Sequence, residues 1–534
     1  MMKETYQPSQ NADIPCGISV IQKLSKRCPS TESRRVTWYR VSILALTYIA
    51  YTCYHLSRKP ISVVKNVLHQ NCSEVPRSGI KIEENSCSWA PFDGKDYTTL
   101  LGTLDSAFLF AYAAGMFISG MVAERVSLRY FLAFGMILSG IFSYLFGIAR
   151  NYNIHTLWYF IIVQILGGFV QTTGWPGVVT VVGNWFGEGN RGLIFGIWNS
   201  HTSVGNILGS LIAGEFVETD WGLSFIVPGV VIALGGFLVF LFLIPHPSIV
   251  GITPASSDEE QAWERNGYRR LDTSVPIDAS SDSGDELDDP VSYHQEFGRT
   301  EILADERTPI TSVNTEKAIS FWRALKIPGV AEFSMSLFFA KLVSYTFLYW
   351  LPQYIKQSTS YSATVSAELS TLFDVGGIIG GIAAGLIRDF LGMSATTCAG
   401  MLTLAVPMLL IYDEYAHVSK GLNIFLLIIV GILVNGPYSL ITTAVSAELG
   451  TSKTLKDNSK ALATVTAIID GTGSIGAAVG PLLAGIVTNI GWEYVFYMLM
   501  IADVAALLCL FRLVSGELRR YRDAPLSRNY QVST

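Results

Sequence analysis

A charge inside a membrane-length apolar helix is costly unless water, a counter-ion or a ligand reaches it, so the charged residues that interrupt the apolar runs of this chain are its candidates for chemistry. One group stands at Tyr51 to Lys59, where YTCYHLSRK carries an apolar run into Arg58 and Lys59. Tyr54 and Tyr51 precede Arg58 by four and seven positions, which puts their phenols on its helix face. Counted from Trp38, Arg58 lies about 30 Å along the helix, where a snorkelling anchor is the plain alternative to a functional residue. Lys341 lies about twelve residues from either end of its run, roughly 18 Å at the helical rise. A lysine at that depth needs a cavity or a partner, and Asp374 in the next run is the partner expected.

His201 falls near the middle of a run whose polar positions are Asn199, Ser200, Thr202 and Ser203. It reads either as a neutral buried imidazole bonded to a hydroxyl or as a pH-sensitive donor to an anion, since imidazole titrates near the second phosphate pKa of about 6. Asp105 and Asp470 lie inside runs of their own and read as proton carriers, acceptors of sugar hydroxyls or partners of the basic residues. An arginine fork matches two oxygens of a phosphate while a lysine adds a point charge, so one from each half of the chain makes an oxyanion clamp. With both cations unneutralised, the empty protein resists changing orientation and a bound dianion relieves it, which favours exchange over net transport.

The elements that position these residues follow from composition. The chain has 534 residues, 50% of them hydrophobic and 15% charged, too apolar for a soluble surface. Twelve runs approach the 20 or so residues that cross a bilayer, beginning near residues 38, 97, 128, 156, 191, 223, 329, 363, 393, 421, 458 and 492. Lys23, Lys26, Arg27, Arg34 and Arg35 before the first run, Arg125 and Arg129 after the second, and Arg519, Arg520 and Arg522 after the last predict cytoplasmic termini. The loop from about 66 to 96 then faces the other side, with a glycosylation sequon at Asn71 and a candidate disulfide between Cys72 and Cys87. The other cysteines show no ligand spacing, so neither metal nor cofactor is expected. Residues 251 to 310 hold 15 acidic and 5 basic residues and read as a disordered acidic linker, in which SSDSGDELDD is a candidate phosphoacceptor patch or a solvated spacer. Ile319 to Ile327 reads as a short amphipathic helix on the membrane surface. The expected organisation is a flexible basic tail over 1–36, a six-helix bundle over 37–245, the linker over 246–320, a second bundle over 321–515 and a tail over 516–534.

An internal repeat supports two bundles. GIWNSHTSVGNILGSLIAG, Gly196 to Gly214, matches AIIDGTGSIGAAVGPLLAG, Ala467 to Gly485, at a shift of 271, and Trp221 and Phe225 match Trp492 and Phe496 in the same phase. Gly120-x-x-x-Glu124-Arg125 has its counterpart in Gly385-x-x-x-Asp389, and Asn435-Gly436-Pro437 occupies the place of Trp175-Pro176. Two six-helix bundles with Gly-x-x-x-acidic loops resemble the major facilitator superfamily. That resemblance implies an all-α membrane fold, a substrate site at mid-depth between halves that rock, and gating by Glu124, Arg125, Arg129, Arg388 and Asp389.

Within that superfamily, Gly168-Phe-Val-Gln171-x-x-Gly174-Trp175-Pro176 through Trp185 and Arg191-Gly192 resembles the signature of the organophosphate:phosphate antiporters, as does Gly431 through Glu448-Leu449. HLSRKPISVVK, Trp198-Asn199 and FFAKLVSYTFLYWLPQYI resemble the animal sugar-phosphate exchangers. The resemblance implies exchange of a phosphate ester of the glucose 6-phosphate or glycerol 3-phosphate type for inorganic phosphate, with Arg58 and Lys59 at the family's phosphate-binding positions. It also implies an endoplasmic-reticulum membrane, and it adds Gln171, Trp175 and Asn199 to the expected site. Two positions depart from the pattern: the family's second basic residue falls on Ser344, one turn after Lys341, and His201 precedes the histidine of the bacterial glycerol-phosphate members by one residue. A proton-coupled carrier of another organic anion or of a sugar, titrating on Asp105, Asp374 or Asp470, is the alternative. A membrane scaffold is disfavoured by the cost of mid-span charges. No residue pattern points to an enzyme or to nucleic-acid binding.

Overall fold

The computed structural model describes residues 13–25, 32–69, 88–123, 125–186, 198–252, 321–450 and 460–523. The described residues form helices: α1 (Cys16–Ser25), α2 (Glu32–Arg58), α3 (Pro60–Leu68), α4 (Tyr97–Ala123), α5 (Leu128–Ile148), α6 (Leu157–Gln171), α7 (Gly174–Phe186), α8 (His201–Phe216) and α9 (Leu223–Phe242) in the first half. The second half holds α10 (Phe321–Leu325), α11 (Val330–Ser358), α12 (Ala363–Leu391), α13 (Ser394–Tyr415), α14 (Lys420–Leu440), α15 (Ser446–Gly450), α16 (Lys460–Val487) and α17 (Trp492–Asp523).

The repeat in the sequence is a repeat in packing. In the first half α4 lies on α6 and α5 on α9; in the second α12 lies on α14 and α13 on α17. Matching glycines permit this closeness. A Cβ on Gly168 would sit 2.2 Å from the Phe108 carbonyl oxygen, and one on Gly431 would sit 2.2 Å from that of Phe373. The halves meet through two equivalent pairs, α4 on α16 and α8 on α12.

Local chemistry sets the helix starts and breaks. The Ser362 and Ser419 hydroxyls accept the Val365 and Leu422 amides at 3.3 and 3.2 Å and so cap α12 and α14. Between α6 and α7, the Thr172 and Thr173 hydroxyls turn back onto the Phe169 and Val170 carbonyls, and the chain re-enters a helix at Gly174 just ahead of Pro176. The related segment of the second half loosens later, in a π-helical turn at Ile441–Val445 after Pro437.

Among the described residues, nine helices are long and apolar enough to cross a membrane. α2 and α11 have the length, 27 and 29 residues, and fall outside that set because polar residues interrupt them; α8 is described over only 16 residues. All three carry buried polar residues, Arg58, Lys341 and His201 among them.

Two expectations change. The segment expected as a flexible tail contains α1, whose Ile18 is buried, and Gly17 packs so closely on α9 that a Cβ would meet the Phe242 ring at 2.4 Å. Its amphipathic pattern supplies the apolar face that a tail reading overlooked. The surface helix expected over Ile319 to Ile327 is a single short element, α10, and Ala324 within it is buried. The linker expected from residue 246 starts later, since Pro247–Val250 forms a short helical turn with Pro247 and Val250 buried and Arg35 donating to the Val250 carbonyl at 2.6 Å; residues 253–320, the phosphoacceptor patch included, lie outside the described residues, as do Asn71, Cys72, Cys87 and Glu124. Replacing Gly431 by Val should force α12 and α14 apart, since a close backbone contact cannot absorb a branched side chain; we expect a loss of about 1–3 kcal/mol or more, read as a lower unfolding midpoint in detergent.

Candidate functional site

Arg58 is the last residue of α2, and Pro60 opens α3 two residues later. The guanidinium is buried, 6% exposed, with its Nε donating to Gln171 Oε1 at 2.5 Å and its plane 4.5 Å from the centre of the Tyr112 ring. Gln171 is itself oriented by donating to Ser57 Oγ at 3.0 Å. Arg58 Nη2 is buried with no hydrogen-bond partner, and among the described residues no carboxylate lies within ion-pair distance of it. Tyr54 turns away and pairs with Thr173 at 2.8 Å, and Tyr51 joins an aromatic group with Trp175, Trp198 and His201.

Lys341, on α11, is buried as its depth required, but its partner is Asp470 of α16 at 2.7 Å rather than Asp374. α16 is the helix that packs along α11, whereas Asp374 points across the seam between halves and accepts Asn206 Nδ2 of α8 at 2.8 Å. The Lys341 ammonium lies 5.6 Å from the centre of the Tyr438 ring. Tyr112, from the first half, lies against Arg58 and Tyr438, from the second, lies near Lys341, so each cation has a phenol ring beside it. Ser344, the position of the expected family cation, instead donates to Asn435 Oδ1 at 2.6 Å.

The remaining lysines close the seam. Pro352 has no amide hydrogen, which leaves the Leu348 carbonyl without its helical donor. Lys59, from the other half, donates to that carbonyl at 2.8 Å and is buried there, so it is engaged with backbone rather than open to a ligand. Lys65, fully buried, pairs with Asp105, donates to the Tyr349 carbonyl at 3.2 Å and lies 4.0 Å from the centre of a Trp350 ring. Lys356 reaches back to the Asn66 carbonyl at 2.6 Å, and Thr98 donates to Asn489 at 2.7 Å. All of these contacts lie at the end of the bundle that carries α3 and the 88–96 loop. Sequence reasoning passed over Lys65 because a basic residue so near a helix end reads as snorkelling; its spacing of seven from Arg58, which returns it to the same side of a helix, was the available signal.

On the opposite side of this seam is a cleft lined by both halves, including His55, Asn199, Asn206, Asp374 and Asn435. Asn199 donates across it to Ser439 at 3.2 Å. His201 does not line the cleft. It opens α8, fully buried, edge-on to Tyr51 and Trp198 with ring centres at 4.6 and 4.3 Å and Nδ1 3.2 Å from the Thr202 hydroxyl. Its neighbour one turn away on α2, His55, takes the cleft position and meets Asn206 at 3.3 Å. Of the expected gating residues, Arg125 is exposed, Arg129 pairs with Asp13 ahead of α1 and with the Tyr130 hydroxyl at 2.7 Å, and Arg388 bridges Asp389 and Glu448 at 2.9 and 2.8 Å. Among the described residues, no three His, Cys, Asp or Glu side chains gather as a metal site needs.

Residues 88–456 match the family model described as Major Facilitator Superfamily. The chain is 56% identical over 492 residues to "Glucose-6-phosphate exchanger SLC37A2" of Xenopus laevis, covering 91% of this chain and 94% of that protein. The chain belongs to the major facilitator superfamily. Among other relatives of this major facilitator, "Glucose-6-phosphate exchanger SLC37A1" of Homo sapiens is 50% identical over 527 residues, covering 95% of this chain and 97% of that one. A solved bacterial homolog of the human lysosomal transporter Spinster, titled as inward-facing and unoccupied, superposes with a TM-score of 0.54 at 15% identity over 91% of this chain and 97% of its own, a likeness of fold.

Replacing Lys65 by Met leaves the buried Asp105 carboxylate uncompensated and should lower the unfolding midpoint by the equivalent of about 3–5 kcal/mol, whereas Lys65→Met with Asp105→Leu should recover most of it. Differential scanning fluorimetry of the two purified variants checks both halves of this expectation.

Proposed function

We propose that the chain exchanges a phosphate ester, of the glucose 6-phosphate type, for inorganic phosphate across a membrane by alternating access. The observation that carries this is Arg58: a buried guanidinium with a free Nη2, held in aim by Gln171 and Ser57 and lacking a fixed carboxylate. Of the other deep cations, Lys341 and Lys65 each have a carboxylate and Lys59 is engaged with the Leu348 carbonyl, so Arg58 is the cation the site has to offer an anion. A phosphoryl group beside Arg58 would take two parallel donors from it, with the Tyr112 ring alongside. The names of the SLC37 relatives agree with this substrate class.

The mechanism follows from the seam. Lys59 and Lys65 hold the halves together on the α3 side while the cleft lies on the other, so this conformation takes ligand from the side of the chain termini. Moving to the opposite conformation strips Lys59 from the Leu348 carbonyl and exposes buried charge. A bound dianion lowers that cost by neutralising the centre, and this makes the cycle an exchange. The basic residues flanking the helices favour cytoplasmic termini, which makes the open side the cytoplasmic one and puts the Asn71 sequon and the candidate Cys72–Cys87 disulfide on the lumenal side of an endoplasmic-reticulum membrane. Asp105 and Asp470 are each bound to a lysine, so neither is a free carboxylate for proton coupling, which favours exchange.

Liposomes containing the purified protein and loaded with phosphate should accumulate labelled glucose 6-phosphate, and liposomes lacking internal phosphate should not. Arg58→Ala should lower the exchange at least thirtyfold, the effect of losing about 2 kcal/mol from a buried charge pair. Uptake that ignores internal phosphate and acidifies the lumen would select proton coupling instead.

A further inference from the structure

The cleft and Arg58 share no lining residue, and Lys59 is fixed on the Leu348 carbonyl beside the cleft. Among the residues that line the cleft there is no lysine or arginine, and its one charged side chain is a carboxylate, Asp374. Asp374 is 3% exposed, its Oδ1 accepts Asn206 Nδ2 at 2.8 Å, and its Oδ2 is buried without a partner. A phosphate placed here would face a carboxylate; a hydroxyl group would find an acceptor.

The rest of the lining has the same character. Asn435 uses its Oδ1 on Ser344, leaving the Nδ2 hydrogens as donors, and Asn199 and His55 add further polar groups. Tyr345 and Tyr438, whose rings stand at 85° with centres 6.5 Å apart, form the wall between the cleft and Lys341. A wall of aromatic faces beside neutral donors and one carboxylate suits an uncharged ring with several hydroxyl groups, the C–H face against the phenols and the hydroxyls toward the amides and Asp374.

We propose that this cleft is a polyol subsite that seats the hydroxyl-bearing part of the phosphate ester, with Asp374 Oδ2 accepting a sugar hydroxyl and Asn435 donating to another, while the phosphoryl group lies at Arg58. Asp374 and Asn435 thereby set which esters are taken. This rests on the antiport reading above and goes further by dividing the substrate between two sites of opposite charge.

The experiment is a comparison of half-saturating concentrations, in phosphate-loaded liposomes, for glucose 6-phosphate, ethyl phosphate and inorganic phosphate. The wild type should favour glucose 6-phosphate over ethyl phosphate. Asp374→Asn, which keeps the shape and removes the charged acceptor, should narrow that preference at least tenfold, and Asn435→Ala should shift it in the same direction. Because the preference is a ratio within one preparation, it does not depend on the fraction of protein that folds or on the rate at which the halves rock. A preference unchanged in both variants, or affinity for all three anions falling by a common factor, overturns the subsite. A wild type that exchanges no phosphate ester at all refutes the antiport reading instead, so the two failures are told apart.

Discussion

A guanidinium removed from water and given no carboxylate is held at a free-energy cost, and the whole interior is arranged around that cost at Arg58. Gln171 and Ser57 orient the group without neutralising it, and Tyr112 offers a ring face rather than a charge. By contrast Lys341 and Lys65 are each matched by an aspartate from an adjacent helix. Lys341 and Lys65 are thereby neutralised and Lys59 is held by a backbone carbonyl, while Arg58 keeps a buried donor, Nη2, that an anion can take.

The closed seam depends on the same economy of buried polar groups. Pro352 frees a carbonyl on α11, and Lys59 from the other half fills the vacancy. A buried lysine and an orphaned carbonyl each satisfy the other only while the halves are together, so the contact is strong in one conformation and absent in the other. Matching glycine contacts, Gly168 on Phe108 and Gly431 on Phe373, keep each half stiff enough to move as a body. A rigid half, a polar latch and an unpaired central cation together give a two-state machine whose switching answers to an anion.

Much of this was legible from residue order. The apolar runs locate the helices within a few residues because bilayer length and helical rise leave little choice, and the repeat foretold the paired packing. Arg58, Lys341 and Asp470 were recognisable because charged groups within apolar runs need a reason, whereas Gln171 came only from the family resemblance. Partner assignments were not legible. Asp374 and Asp470 are equally plausible from sequence, and only the packing of α16 along α11 decides between them. His55 and His201 lie on different helices, and which one reaches the cleft depends on helix rotation that a residue count does not give. Lys65 escaped notice because its burial is created by the other half, through the Tyr349 carbonyl and the Trp350 ring.

The central claim is that Arg58 is an uncompensated charge waiting for an anion, and thermal unfolding of purified protein with and without inorganic phosphate tests it most directly. Wild type should gain stability as phosphate is added. Arg58→Met should be as stable as wild type or more so without phosphate, having lost an unpaired charge, and should show no response to it. An Arg58→Met protein that is less stable than wild type in the absence of phosphate and still stabilised by it would contradict the account.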